Sequence, residues 1–250
     1  MRDSAARREM MLREMGLAPL WKLRGKTETQ VAGQEKAANP PPLTAPLTGH
    51  SHAAELVNAT NMDWPQLAEA VANCRVCRLC EQRKQAVLGV GDRQADWLFV
   101  GEGPGAEEDE RGEPFVGQAG KLLDNMLTAI GLARGKKVYI ANAVKCRPPG
   151  NRTPEPEEIA ACLPYLERQI ELMQPKLIVA LGRPAAQALL GREVKIADTR
   201  GKLFNHGGLN GIPLIVTYHP AYLLRNLPDK AKAWEDLCFA RATMRRLTEQ

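Results

Sequence analysis

The segment WLFVGEGPG, residues 97–105, decides the fold class, because a short apolar run ends in a glycine-rich polar turn. Three further apolar runs follow at residues 138–144, 177–181 and 214–218. Continuous apolar runs of this length are typical of strands buried on both faces. Because helical patterns lie between them, the sequence predicts an α/β protein with a parallel sheet between helices.

The helical patterns have recognisable starts and ends. Asp63 is expected to cap the first helix, and Gly191 is expected to end a short one. The predicted helices cover residues 64–72, 118–131, 156–173, 184–190 and 231–247.

The first 60 residues differ in composition from the rest. A helical candidate, residues 4–23, precedes a stretch rich in Pro, Ala, Thr and Gly that includes Pro40-Pro41-Pro42. We expect residues 1–60 to form a flexible extension with a Pro-rich linker, and residues 61–250 to form one domain. The short helix is either a docking peptide for a protein partner or part of a disordered extension.

Composition indicates a globular protein. Hydrophobic residues make up 44% and charged residues 25%, and the net charge of +5 permits a nucleic-acid partner without requiring one. No apolar run reaches the roughly 20 residues of a membrane helix, and the N-terminus lacks a secretory signal. We therefore expect a cytoplasmic monomer that does not contact membranes.

Polar residues follow the predicted strands at their carboxyl ends. Glu102 follows the first strand, Asn142 lies within the second and His219 follows the fourth. Open parallel sheets bind ligands at this edge, so the three are expected to share one pocket. A planar amide such as that of Asn142 suits the edge of a pyrimidine, although a structural hydrogen bond would also explain it.

The glycine-rich turn GEGPGAEED resembles a dinucleotide-binding loop, but its third glycine is misplaced and its acids would repel a pyrophosphate. We expect a site role for Glu102, between two glycines, and solvated positions for Glu107 and Asp109.

Six cysteines suggest a metal site. Cys74, Cys77 and Cys80 form a CxxCxxC, and Cys146 and Cys162 lie far along the chain. Four thiolates suit either zinc or an iron–sulfur cluster, and spacing leaves both the metal and the first pair open. Cys238, flanked by Leu237 and Phe239, reads as a core residue.

These motifs together resemble the family 4 uracil-DNA glycosylases, the iron–sulfur enzymes of bacteria and archaea. The matching segments are CRVCRLC, VGEGPGAEEDERGEPFVGQAGKLLD, YIANAVKCRPPGNRTPEPEEIAAC, LIVALG and YHPAYLLRN, in the family's order and over about two thirds of the chain. The resemblance implies an α/β/α sandwich with a four-stranded parallel sheet, and excision of uracil from single- or double-stranded DNA.

The resemblance also implies a [4Fe-4S] cluster. Its ligands would be Cys74, Cys77, Cys146 and Cys162, with Cys80 a non-ligand.

The resemblance further assigns the pocket. Phe115 would stack on the uracil, Asn142 would read its Watson–Crick edge and His219 would stabilise the leaving base. The turn that contains Gly101 and Gly103 would place backbone N–H groups near the base. Glu102 would lie near the sugar, and Glu108 would lie near uracil C5. The best-known uracil glycosylases carry a carboxylate for the attacking water at the position that matches Gly103, and since this chain lacks it, Glu102 is our candidate for that role.

A third set of residues would contact DNA. Leu223 or Leu224 would fill the gap left by the flipped base, and Arg225 would grip the backbone. Lys121, Lys145, Arg147 and Arg152 are candidates for further phosphate contacts.

Two rival functions remain open at this point. One is a module that binds uracil DNA covalently, although residues 199–208 lack the inserted basic loop of such relatives and the surroundings of His206 do not match. The other is a non-catalytic, zinc-stabilised DNA or polymerase accessory domain.

Overall fold

The computed structural model describes residues 58–207 and 211–249. The candidate helix at residues 4–23 and the Pro-rich linker lie outside the described residues. The strands of the described part are β1 Val90–Gly91, β2 Trp97–Gly101, β3 Val138–Asn142, β4 Leu177–Leu181, β5 Leu203–His206 and β6 Ile212–Thr217. Its α-helices are α1 Trp64–Asn73, α2 Ala106–Arg111, α3 Gln118–Ala129, α4 Pro156–Met173, α5 Arg183–Leu190, α6 Ile196–Thr199, α7 Pro220–Arg225 and α8 Asp229–Thr248.

The four predicted strands form the centre of a larger sheet. The strand order is β1-β3-β2-β4-β6-β5, and the pairs β3–β2, β2–β4 and β4–β6 are parallel. The edge strands β1 and β5 pair antiparallel with β3 and β6. The expected four-stranded parallel sheet is therefore corrected to a mixed sheet of six strands, and the α/β class is confirmed.

Successive strand residues point to opposite faces of the sheet, and helices cover both. Phe99, Ile140 and Val179 pack on one face with apolar residues of α3, α7 and α8. Leu98, Ala141 and Ile178 pack on the other with residues of α4 and α5. Because both faces are buried, the strands read as continuous apolar runs rather than as alternating ones.

Local sequence signals explain where several helices begin and end. Asp63 accepts a hydrogen bond from the Gln66 amide, and the Gln66 side chain accepts one from the Asp63 amide. This reciprocal cap confirms the predicted start of α1. Gly191, at φ 63°, ends α5 in the left-handed conformation, also as predicted.

Helix α8 corrects the interpretation of Cys238. Leu237 and Ala240 are buried against the sheet, whereas Cys238 is exposed. Each helical residue turns about 100° from the one before, so apolar neighbours in sequence do not place a residue on their own face.

The edge strand β5 is tied to the helices by His206. Its Nδ1 lies 2.9 Å from the Leu189 carbonyl oxygen and its Nε2 lies 2.9 Å from a Glu167 carboxylate oxygen. The hydrogen bond with Glu167 raises the pKa of His206. The sequence assigned His206 no role, and the structure gives it a structural one.

Among the residues with described structure, no helix is long and apolar enough to cross a bilayer.

Candidate active site and cysteine cluster

The carboxyl ends of the parallel strands open into one cavity of about 660 Å³. This volume suits a nucleotide-sized ligand. The predicted residues Glu102, Gly103, Glu108, Phe115, Asn142, His219 and Arg225 all line it. Strand-end placement therefore brings together residues that lie more than 100 positions apart.

Two side chains that line the cavity, Asn142 and Phe115, lie next to the backbone of Gly101. A Cβ atom at this position would lie 2.5 Å from Asn142 Oδ1 and 2.6 Å from Phe115 Cζ. The absence of a side chain at Gly101 thus lets the amide and the ring approach the backbone. At Gly103 a Cβ atom would lie 2.7 Å from Val144 Cγ2, so a larger side chain there would collide with the strand β3 extension.

Asn142 lines the cavity and carries a buried acceptor. The residue is 2% exposed, and its Oδ1 has no hydrogen-bond partner among the described residues. A buried polar atom without a partner costs about 1–3 kcal/mol. Asn142 lines the cavity, and its Oδ1 and the Phe115 ring both lie next to Gly101, so the atom is a candidate acceptor for a ligand N–H.

Phe115 lies in an unusual backbone conformation. Its φ of 55° falls in the left-handed region, which bulky residues avoid. Its ring stacks against that of His219, with centroids 5.4 Å apart. Glu108 holds the adjoining segments, because its carboxylate accepts hydrogen bonds from the amides of Gly105, Val116 and Gly117.

His219 has a defined tautomer. Its Nδ1 accepts a hydrogen bond of 3.1 Å from the Ala221 amide, so a neutral ring carries its proton on Nε2. Burial, aided by repulsion from Arg225, lowers the pKa of His219 to about 4. At neutral pH the residue is therefore an uncharged donor.

Glu102 is half-buried at the end of β2. Burial raises its pKa, and a hydrogen bond with Thr153 and the charge of Arg183 partly oppose this rise. A carboxylate with a raised pKa is a better base at neutral pH than an exposed one.

The sequence reasoning missed several residues of the cavity wall, among them Thr153, Gly182 and Arg183. Gly182, at φ 91°, follows β4 and lies against His219, where a Cβ atom would come within 3.0 Å of the His219 Cβ. The strand-end rule could have found Gly182 and Arg183, because β4 was predicted. Thr153 lies in a loop between cysteines and carried no such signal.

Helix α7 separates the two predicted wedge residues. Leu223 is 1% exposed and belongs to the core beneath the sheet, whereas Leu224 is 42% exposed. Leu223 cannot reach DNA without leaving the core, and its assignment as a DNA contact is corrected. Leu224 and Arg225 lie on the outer face of the helix.

The four predicted ligand cysteines are neighbours. Cys74 and Cys77 follow α1, Cys146 follows β3 and Cys162 lies in α4, and all four belong to or pack against one buried cluster. Ionisation of Cys77 raises the pKa of both Cys146 and Cys162, and Cys74 acts on Cys77 and Cys146. Cys80 also lies near Cys77. Proximity alone therefore does not select four ligands out of five.

Burial raises the pKa of Cys146 to about 11 and that of Cys162 to about 12. Hydrogen-bond donors nevertheless point at these sulfurs. Arg83 Nη1 lies 2.7 Å from Cys146 Sγ, and the Lys145 amide donates to Cys162 Sγ at 3.2 Å. Buried thiols surrounded by donors are suited to ionise only when a metal takes the charge.

Within residues 58–207 and 211–249, no three His, Cys, Asp or Glu side chains form a group that could hold a single metal ion.

One of the residues predicted to contact phosphates is buried. Lys145 is 1% exposed, and its Nζ donates to the Asn142 carbonyl oxygen and to Gln169 Oε1. It is a buried link between the cysteines and Asn142 and cannot contact DNA, so that assignment is corrected.

Asp109, expected to be solvated, is also buried and accepts from the amides of Lys84 and Gln85.

Comparison of the sequence with known proteins identifies relatives of this chain. A family model described as the uracil DNA glycosylase superfamily matches residues 88–238. A type-4 uracil-DNA glycosylase of Pyrobaculum aerophilum is 47% identical over 182 residues, which are 70% of this chain and 92% of the relative. That of Thermotoga maritima is 47% identical over 66% of this chain and 85% of its own, and that of Saccharolobus solfataricus is 45% identical over 68% and 81%.

Proposed function

Because the chain belongs to the type-4 uracil-DNA glycosylases of the uracil DNA glycosylase superfamily, we propose that its strand-end cavity excises uracil from DNA through Asn142, His219 and Glu102. The enzyme hydrolyses the N-glycosidic bond and leaves an abasic site. The unpartnered Oδ1 of Asn142 carries the assignment of the base-binding site, because it is a buried acceptor on a residue that lines the cavity.

Base recognition follows from the groups around Gly101. A base inside a duplex cannot reach a cavity, so the uracil must first be flipped out of the stack. Phe115 then stacks on its ring, and Asn142 Oδ1 accepts from N3–H while Nδ2 donates to O4. Glu108 holds the loops that carry Gly105 and Val116. We expect it to lie near uracil C5, where it would help to exclude the methyl group of thymine.

The leaving base is stabilised by His219. Breaking the glycosidic bond leaves negative charge on the uracil, and Nε2–H donates to its O2. Preorganised donors of this kind supply a large share of catalysis because they need no rearrangement as charge develops. Amides of the turn that starts at Gly101 add to the same effect.

Glu102 activates the attacking water in this proposal. The carboxylate accepts a proton from the water that attacks the sugar, and Thr153 holds it in place.

We expect an acid limb in the pH dependence of single-turnover excision. The wild-type rate should fall as pH falls through a midpoint above the usual range of a glutamate, because protonation of Glu102, whose pKa is raised by burial, removes the base. Glu102→Gln should lower the rate about 10²–10⁴-fold and abolish this limb. His219, with a pKa of about 4, titrates below it. A Glu102→Gln enzyme that keeps the wild-type limb would contradict the role of Glu102.

DNA engagement uses the outer face of α7. Leu224 is the remaining wedge, and Arg225 lies next to it at the cavity mouth. Arg147 and exposed Lys121 are retained as backbone contacts, and Arg152 is engaged by both carboxylate oxygens of Glu158.

The cysteine site fits a [4Fe-4S] cluster held by Cys74, Cys77, Cys146 and Cys162. Each cysteine would bind a different iron of the cluster, so the sulfurs would not have to converge on one point as they must around a zinc ion. The described cysteines belong to or pack against one buried cluster. When bound, the cluster supplies iron–thiolate bonds that cross-link three chain segments next to the cavity.

Cys162→Ser should lose the brown colour and iron of the protein, and Cys80→Ser should keep both. The two substitutions are matched in chemistry, and they separate a ligand from a neighbour of the ligands. Iron analysis and visible absorbance of anaerobically purified protein measure the outcome. Colourless wild-type protein with one bound zinc, or loss of iron in Cys80→Ser alone, would overturn the ligand set.

The direct test of the function is excision from uracil-containing oligonucleotides, single- and double-stranded, followed by alkaline cleavage at abasic sites. Cleavage of uracil DNA and not of matched thymine DNA is expected. A DNA adduct stable to heat and denaturant would instead indicate covalent binding without turnover. The alternative of a non-catalytic accessory domain is not favoured by the relatives.

A further inference from the structure

The loop that carries Phe115 needs an external restraint. Phe115 has φ 55°, a conformation that an unrestrained bulky residue leaves readily. Its ring must nevertheless stay beside His219 and above Gly101 for the pocket to have the observed shape.

Arg134 supplies contacts to the carbonyl side of this loop. Its Nη1 donates to the Pro114 carbonyl oxygen at 2.9 Å, and its Nη2 donates to the Phe115 carbonyl oxygen at 2.8 Å. Its Nε donates to Asp124 Oδ1 at 3.0 Å. Asp124 lies in α3, so the guanidinium connects the loop to a helix packed on the sheet.

Two further contacts leave the Phe115 peptide little freedom. A Cβ atom at Gly120 would lie 1.7 Å from the Phe115 carbonyl oxygen, so this oxygen rests directly against α3. On the other side of the loop, Glu108 accepts hydrogen bonds from the Val116 and Gly117 amides. Arg134 thus binds the carbonyl groups of this short segment, and Glu108, of opposite charge, binds its amide groups.

We propose that Arg134, which does not line the cavity, is a positioning residue that holds Phe115 in its stacking conformation for uracil. This inference rests on the proposed role of Phe115. Arg134 reaches the two carbonyl oxygens and the carboxylate with three separate nitrogens held in one plane, whereas the three N–H groups of a lysine share a single nitrogen at the end of a flexible chain. Asp124 fixes the direction of the guanidinium.

The test is a double-mutant cycle with Phe115. Arg134→Lys, which keeps the charge, should lower kcat/KM for a uracil oligonucleotide about 10–10²-fold, since displacement of a positioning group by about 1 Å has effects of this order. In a Phe115→Ala background the same change should have less than about a twofold effect, because residues acting through one another are not additive. Affinity for an oligonucleotide with a stable abasic analogue should stay within twofold of the wild type, because Arg134 acts on the base-stacking ring.

Each outcome decides between the possibilities. Wild-type activity of Arg134→Lys, or an equal loss with and without Phe115, overturns the positioning role. Wild-type activity of Phe115→Ala alone overturns the proposed pocket instead, so the two failures are distinguishable. If Arg134→Lys does not fold, Asp124→Asn provides the second variant, which keeps Arg134 and removes its charged anchor. Asp124→Asn should lower kcat/KM by a smaller factor than Arg134→Lys, and this effect should also disappear in the Phe115→Ala background. If Asp124→Asn leaves kcat/KM unchanged, or lowers it equally with and without Phe115, the proposal is refuted.

Discussion

Replacement of His219 by alanine is expected to lower the excision rate about 10²–10³-fold, the usual effect of removing one donor to a developing anion. The donor is the Nε2–H, because Nδ1 already accepts from the Ala221 amide. The loss should appear in kcat rather than in DNA affinity, since the charge on the base develops only as the bond breaks.

Two variants control this experiment. His219→Gln can still present an amide N–H and should recover part of the rate. His206→Ala removes another histidine with two hydrogen-bond partners, outside the cavity, and should leave excision unchanged while lowering the melting temperature. Single-turnover assays with iron content checked in each protein give the comparison. Wild-type kcat in His219→Ala with its iron intact would remove His219 from the mechanism.

Asn142→Asp is expected to have an effect of similar or greater size. The side chain keeps its volume, but the donor to uracil O4 becomes a second acceptor that repels it. Asn142→Ala loses both hydrogen bonds, each worth about 1–3 kcal/mol with a buried partner, so kcat/KM should fall about 10²–10⁴-fold.

The variants Asn142→Asp and Asn142→Ala together show whether Asn142 recognises the base or only fills space. If Asn142 mainly fills space, Asn142→Asp should be nearly active and Asn142→Ala impaired. If it reads the base, both should fail. A single-stranded oligonucleotide is the substrate of choice, because the cost of unpairing the base then drops out. Normal kcat/KM in Asn142→Asp would refute the reading role.

The sequence predicted the centre of the fold better than its edges. The central strands are buried on both faces, so each left a continuous apolar run that marks it. The edge strand β1 has two residues, and β5 begins with Leu203, which is 48% exposed. Neither has an apolar pattern of its own, because an edge strand is stabilised mainly by pairing with its neighbour.

The candidate site was predictable where strand ends converge, and less so where a side chain's direction decides its role. Glu102, Asn142 and His219 follow from the position of the strands. Leu223 and Leu224 are adjacent in sequence, but the turn of α7 buries one and exposes the other. Lys145 looks like a phosphate contact until its carbonyl and amide partners are known.

The bare backbone at Gly101 also affects how mutational scans of this enzyme should be interpreted. Alanine scanning normally deletes atoms, so a large effect is taken as the value of a lost contact. At Gly101 the same substitution inserts a methyl group 2.5 Å from Asn142 Oδ1 and 2.6 Å from Phe115 Cζ. Loss of activity in such a variant would report a steric clash of the added methyl group, and a scan that scores every position alike would wrongly assign Gly101 a catalytic contact.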